Sequence, residues 1–191
     1  MDSYRIVVAD SSEGSRKVIC KILNQKGYRT YEATDGAGVI RISRKIYPNL
    51  VIIDTNLWGM NAYEAARIIE EDQLSTVLFV TSNPTSTFYE KLKNMHIFAY
   101  VMKPIHPDQL YQMVEFSIMN ANKINLLSKR IEKLENTLEG RKKIDRAKGF
   151  LMKDLGISEE EAYKLLRKRS MNACISIDEM AEKVIQKYIN R

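Results

Sequence analysis

Leu50-Val51-Ile52-Ile53-Asp54 is four aliphatic residues closed by a carboxylate. The run is too short for a buried helix and has no polar alternation, so it reads as a strand covered on both faces. Working outward, similar runs occur at 4–9, 28–33, 76–81 and 98–102. Helical spacings fill the gaps at about 13–26, 36–46, 61–72, 84–95 and from 107 onward. Asn83-Pro84 fits an N-cap with proline at the first helical position. Five strands alternating with helices predict an α/β domain, with right-handed crossovers and a parallel sheet between two helical layers. In such a sheet the site lies beyond the carboxyl ends of the strands.

The helix that starts after Pro107 does not stop on schedule. Leu110, Met113, Ser117, Asn120, Ile124, Leu127, Ile131, Leu134 and Leu138 alternate spacings of three and four. That heptad seam predicts a coiled coil and a homodimer through residues 110–138, with the coil ending near Gly140. The remainder reads as three helices. The first covers about 141–155 and ends at Gly156, a residue suited to a helix C-terminus. The other two open with capping boxes, Ser158 to Glu161 and Ser176 to Glu179. The expected domains are 1–120, a connector at 121–140, and an all-α module at 141–191.

The 191 residues carry a net charge of +6, and none of it comes from the front. Residues 1–122 hold 13 Lys and Arg against 13 Asp and Glu, while 123–191 hold 17 against 11. The second half therefore suits a polyanionic partner. No apolar run reaches the ~18 residues of a membrane span, and no secretory signal is visible, so a cytoplasmic chain is expected. Cys20 and Cys174 have no metal-ligand spacing and are expected to pack in cores.

Asp10, Asp54, Thr81 and Lys103 each fall at the carboxyl end of a predicted strand. An aspartate nucleophile, a hydroxyl, a lysine and an acidic partner can together accept a phosphoryl group. These residues resemble the response-regulator receiver domain over about residues 3–120. The resemblance implies a five-stranded, flavodoxin-like sheet of order 2-1-3-4-5. It makes Asp54 the phosphoacceptor, Thr81 the switch hydroxyl, Tyr100 the switch aromatic and Lys103 the lysine on the phosphoryl group, with Lys103–Pro104 cis. It also implies Mg²⁺ at Asp10, Asp54 and Asn56. The chain departs from the pattern at Ser11, where the family carries the acid that ligates magnesium directly. It departs again at Trp58 and Ala62, where the family has proline and glycine. Ser11 weakens the expected site, with Glu13 as a substitute ligand through water. Phosphorylation of Asp54 by a histidine kinase is the expected input. The alternative is a pseudo-receiver controlled by a protein or ligand.

Wound at about 100° per residue, the helix at 141–155 puts Ile144, Ala147, Leu151 and Leu155 on one side. Lys142, Arg146, Gly149 and Lys153 fall opposite. A glycine there costs about 1 kcal/mol against alanine, so its place needs a reason. Arg141, Lys143 and Lys148 flank this stripe, and Lys164, Arg167, Lys168 and Arg169 follow. On composition Phe150 and Tyr163 are expected in the core. Ala147-Lys148-Gly149 with Leu151-Met152, Ser158 to Ala162, Leu166-Arg167, Ser170-Met171 and Ala181 together resemble the ANTAR domain. The resemblance departs at 173–177, where the family often has a basic residue. It implies binding of stem-loop RNA in nascent transcripts and antitermination, through Arg141, Lys142, Arg146, Lys148, Gly149, Lys153, Arg167 and Lys168. A regulator rather than an enzyme is expected. One rival is a DNA-binding helix-turn-helix, although the last helix offers only Lys183, Lys187 and Arg191. The other is a protein-interaction module.

Overall fold

The structure is a computed structural model and describes residues 3–93, 95 and 99–189. It divides into two compact units, Met1–Ile124 and Asn125–Arg191. In the first, β1 (Arg5–Ala9), α1 (Glu13–Gln25), β2 (Arg29–Ala33), α2 (Gly36–Ile46), β3 (Leu50–Asp54), α3 (Ala62–Glu71), β4 (Thr76–Thr81), α4 (Ser86–Lys93) and β5 (Tyr100–Met102) follow in turn. The long helix α5 (Pro107–Leu155) comes next, then α6 (Glu159–Asn172) and α7 (Ile177–Ile189).

The five strands form one parallel sheet in the order β2-β1-β3-β4-β5. Side chains alternate across it with the strand period of two. Val7, Val51, Ile53 and Phe79 face a layer that includes Val39, Ala65, Ala66 and Ile69. Ile6, Val8, Leu50, Ile52, Leu78 and Val101 face Ile19, Leu23, Leu110, Val114 and Ile118. With a helical layer on each side, all five residues of β3 are buried. Each fully buried Ile or Leu there contributes about 1.5–3 kcal/mol. Asp54 is carried to the sheet edge by that rigid strand.

The second unit closes a small core of Ala147, Leu151, Ala162, Leu166, Ala181, Val184 and Ile185. Both expected capping boxes are present. Ser158 Oγ accepts from the Glu161 amide while the Glu161 carboxylate accepts from the Ser158 amide, and Ser176 and Glu179 do the same. Gly156, at φ 65°, makes the turn after α5.

Several expectations are corrected. Helix α4 starts at Ser86, not Pro84, because Thr85 takes the cap: its Oγ1 accepts from the Phe88 amide at 3.3 Å. The described part of β5 starts at Tyr100, and Phe98 lies outside the described residues. The seam does not begin at Leu110. Leu110 and Ser117 are buried and Met113 partly buried, because this part of α5 covers the sheet of its own receiver. Only Ile124 to Leu138 stays open. Leu155, at the end of α5, is half exposed rather than core. Cys174 is exposed, because it occupies a left-handed position, φ 51°, just past the end of α6. Tyr163 is also exposed. Cys20 is buried, as expected. Among the described residues no helix is long and apolar enough to cross a membrane.

Candidate functional site

The four strand-end residues converge in the first unit. Asp10 and Asp54 are buried, and Lys103 reaches between them. Its Nζ is 2.8 Å from Asp10 Oδ2 and forms an ion pair with Asp54 Oδ2. Backbone amides hold the other carboxylate oxygens: Ser12 N–H donates to Asp10 Oδ1 at 2.8 Å, and Asn56 N–H to Asp54 Oδ1 at 2.7 Å. Burial alone would lower the Lys103 pKa. Its hydrogen bonds to Asp10 and Asp54 outweigh that, and the ammonium is held above its ordinary value. The Lys103–Pro104 peptide is cis.

Thr81 and Tyr100, the expected switch residues, are held by neighbours. Thr55 Oγ1 donates to Thr81 Oγ1 at 3.1 Å, and the Asn83 amide also donates to that oxygen at 3.4 Å. The Tyr100 hydroxyl meets that of Tyr89.

Of the expected metal ligands, Asp10 and Asp54 lie together on Lys103 and the Asn56 amide is on Asp54. Ser11 Oγ donates to the Thr34 carbonyl at 3.1 Å and accepts from the Trp58 amide at 2.8 Å. Glu13 pairs with Lys17 at 2.6 Å, on the exposed surface. Among the described residues no three acidic, histidine or cysteine side chains gather into a metal-binding group. Magnesium demands a near-ideal octahedron of oxygen ligands. Two carboxylates already sharing one ammonium, beside a hydroxyl tied elsewhere, do not fit a tightly held ion.

Arg16, Thr55 and Tyr89 belong to this site and were not foreseen. Arg16 is buried, donates to the Asp10 carbonyl at 2.7 Å and pairs with Glu32 at 2.7 Å. Its signal was available: a charge standing in helical register with Ile19, Cys20 and Leu23, on the buried face of α1.

In the second unit the basic residues sort into two groups. Lys143 pairs with Glu182 at 3.0 Å, Lys164 with Glu160 at 2.6 Å, and Lys148 with both Asp145 and Glu159 at 2.6 and 2.7 Å. Those partners raise the Lys148 and Lys143 pKa values. Arg141, Lys142, Arg146, Lys153, Arg167 and Lys168 are exposed and form no ion pair among the described residues. The Arg146 guanidinium lies over the Phe150 ring at 5.8 Å, and Phe150 stacks on Tyr188 at 5.4 Å. A Cβ built on Gly149 would meet nothing within 4 Å.

Comparison with known proteins agrees with both halves. The profile of the response regulator receiver domain matches residues 6–115, and that of the ANTAR domain matches residues 132–185. The transcriptional regulatory protein PdtaR of Mycobacterium tuberculosis is 25% identical over 95% of this chain and 89% of its own length. Among solved structures, the N-terminal domain of a response regulator/sensory box/GGDEF protein from Carboxydothermus hydrogenoformans is similar. It has a TM-score of 0.58 and 27% identity, and covers 64% of this chain and 98% of its own. Vibrio cholerae CheY4 shares the fold at TM-score 0.58 and 18% identity, over 61% of this chain and 99% of its own. With more than half its length matched by the receiver profile and the ANTAR profile matched behind it, the chain belongs to the response regulators.

Proposed function

We propose that the chain is a signal-controlled transcription antiterminator acting in the cytoplasm. Its ANTAR module binds stem-loop RNA in a nascent transcript, two copies pair through α5, and the pocket around Asp54 is the control point. One observation carries the RNA reading: among the described residues the cations on the Gly149 side of the helix, Lys142, Arg146 and Lys153, have no acidic partner, whereas Lys143 and Lys148 are neutralised. Cations held open in this way suit phosphates, and the bare backbone at Gly149 leaves room for a nucleic-acid strand to approach. Hairpin loops are the readable part of such RNA, because their bases are unpaired.

Pairing is supported by the seam. Ile124, Leu127, Ile131, Leu134 and Leu138 are 42–57% exposed on one helix. Isoleucine at the first core position of two successive heptads, Ile124 and Ile131, with leucine at the fourth, Leu127 and Leu134, favours two parallel strands. Two modules in one dimer would engage tandem stem-loops with the gain of effective concentration.

For the input, Asp54, Thr81 and Lys103 have the arrangement of a phosphoacceptor site, and a histidine kinase is the partner it implies. The bonds of Ser11 favour the second reading, control by a protein or ligand that works on the pocket without phosphoryl transfer. Mass spectrometry after incubation with a small phosphodonor and Mg²⁺ separates them. Added phosphoryl mass that Asp54→Asn removes would restore the phosphorylation reading.

The output is tested by binding to a labelled tandem stem-loop RNA with duplex DNA as competitor. The expected result is RNA preference that falls when Lys142 and Arg146 become alanine. Preference for the duplex DNA would favour a helix-turn-helix regulator, and no binding of either would favour a protein-interaction module.

A further inference from the structure

We infer that Ser11 is a loop tie standing where a metal ligand would be, and that this receiver holds its pocket together without Mg²⁺, with the Lys103 ammonium as its cation. The inference deepens the reading of the pocket as the control input and is independent of the RNA output.

The hydroxyl of Ser11 makes two bonds in opposite senses. It gives its proton to the Thr34 carbonyl after β2 and receives one from the Trp58 amide after β3. Three loops therefore meet on one oxygen: its own after β1, and those after β2 and β3. A second contact runs alongside, because Asp35 and Trp58 form an isolated parallel bridge. The loop after β3 is fastened at two more points. Leu57 is buried in the core, and Met60 packs so closely on Gly36 that a Cβ there would come within 2.6 Å of Met60 Cβ. Gly59, at φ 75°, provides the turn between them. A loop held in this way needs no ion to gather it.

Charge points the same way. Asp10, Asp54 and Lys103 together carry one net negative charge, which a divalent cation would reverse. An aspartate at position 11 would add a charge and a hard oxygen ligand, but a carboxylate has no proton to give the Thr34 carbonyl. Tie and ligand are therefore exclusive choices for one side chain.

Trp58, the chain's sole tryptophan, reports on both. Its amide is in the tie while the residue as a whole is 73% exposed. The experiment is a Mg²⁺ titration through the millimolar range on the full chain, read by Trp58 emission, for wild type, Ser11→Asp and Ser11→Ala. Circular dichroism confirms folding of each. The wild type should show no saturable change and Ser11→Asp a saturable one. Ser11→Ala should remain silent to Mg²⁺ while its indole becomes more accessible to acrylamide quenching. A saturable wild-type response that Asp54→Asn abolishes would overturn the inference. So would a folded Ser11→Asp chain that ignores Mg²⁺, since Ser11 would then not be what excludes the ion. RNA affinity of the same samples tests the control reading separately: unchanged affinity in Ser11→Ala with altered quenching keeps the tie and removes its role in control.

Discussion

The hydroxyls of Tyr89, on α4, and Tyr100, on β5, lie 2.9 Å apart. Phe88, the neighbour of Tyr89, meets the Tyr100 ring edge-on at 5.2 Å. Helix α4 thus grips the aromatic whose movement is expected to signal the state of the pocket. The hydrogen bond to Tyr89 is the main cause that raises the Tyr100 phenol above its ordinary value. In Tyr89→Phe the Tyr100 pKa should return toward that value, followed by NMR of ¹³C-labelled tyrosine. An unchanged titration of Tyr100 would mean that the hydroxyl contact does not exist in solution.

Replacing Lys103 with methionine leaves two buried carboxylates facing each other. Breaking a buried pair of this kind costs about 3 kcal/mol, the low end of the range because the lysine keeps some access to water. The pKa of Lys103 is raised on folding, so its contribution is complete below 10.5 and fades as pH rises through the raised value. The gap between variant and wild type in chemical denaturation should therefore be full near neutrality and narrow into strong alkali. A gap that stays constant into strong alkali would show that the Lys103 ammonium is not what holds the two carboxylates together.

The strands were legible because uninterrupted aliphatic runs have one reading in a covered parallel sheet. The pocket was legible because its residues stand at strand ends. What the pattern hid was which partner answers each signal. Leu110 and Ile124 share one helical stripe, yet Leu110 is fully buried in the receiver and Ile124 remains open. Periodicity describes a face and not its cover. Asn83 and Thr85 are both capping residues, and only the chain path decides between them. Ser11 was visible as a missing acid, while its bonds to Thr34 and Trp58 depend on loops 23 and 47 residues away.

Gly149 allows a test with two opposite signs. Alanine meets no atom within 4 Å there, and it favours the helix by about 1 kcal/mol over glycine. Gly149→Ala should therefore raise the thermal midpoint of the second unit while weakening RNA binding. A variant that is more stable and binds RNA equally well would remove Gly149 from the interface.

Lys148 and Lys142 should separate stability from binding. The Lys148 ammonium is held between Asp145 and Glu159, tying α5 to the start of α6. Lys148→Ala should lower the melting temperature and leave the salt slope of RNA affinity nearly unchanged. Lys142→Ala should do the reverse, reducing that slope by about one. Equal slopes for Lys142→Ala and the wild type would exclude a phosphate contact at Lys142.

The seam carries its own specificity test. With Ile124 and Ile131 at the first core position of successive heptads, Arg130 and Glu135 fall on the flanking positions that face each other across a parallel pair. Both side chains are exposed, so each bridge is worth at most about 1 kcal/mol, but two-fold symmetry supplies it twice. Arg130→Glu places like charges at both contacts and should weaken the dimer in sedimentation equilibrium. Adding Glu135→Arg to the same chain restores attraction with the signs exchanged and should recover the dimer. In an antiparallel pair these positions do not face each other in this way, and the second change would not rescue the first. Failure of rescue, with both variants folded, would therefore reject parallel pairing while leaving the apolar stripe in need of another cover.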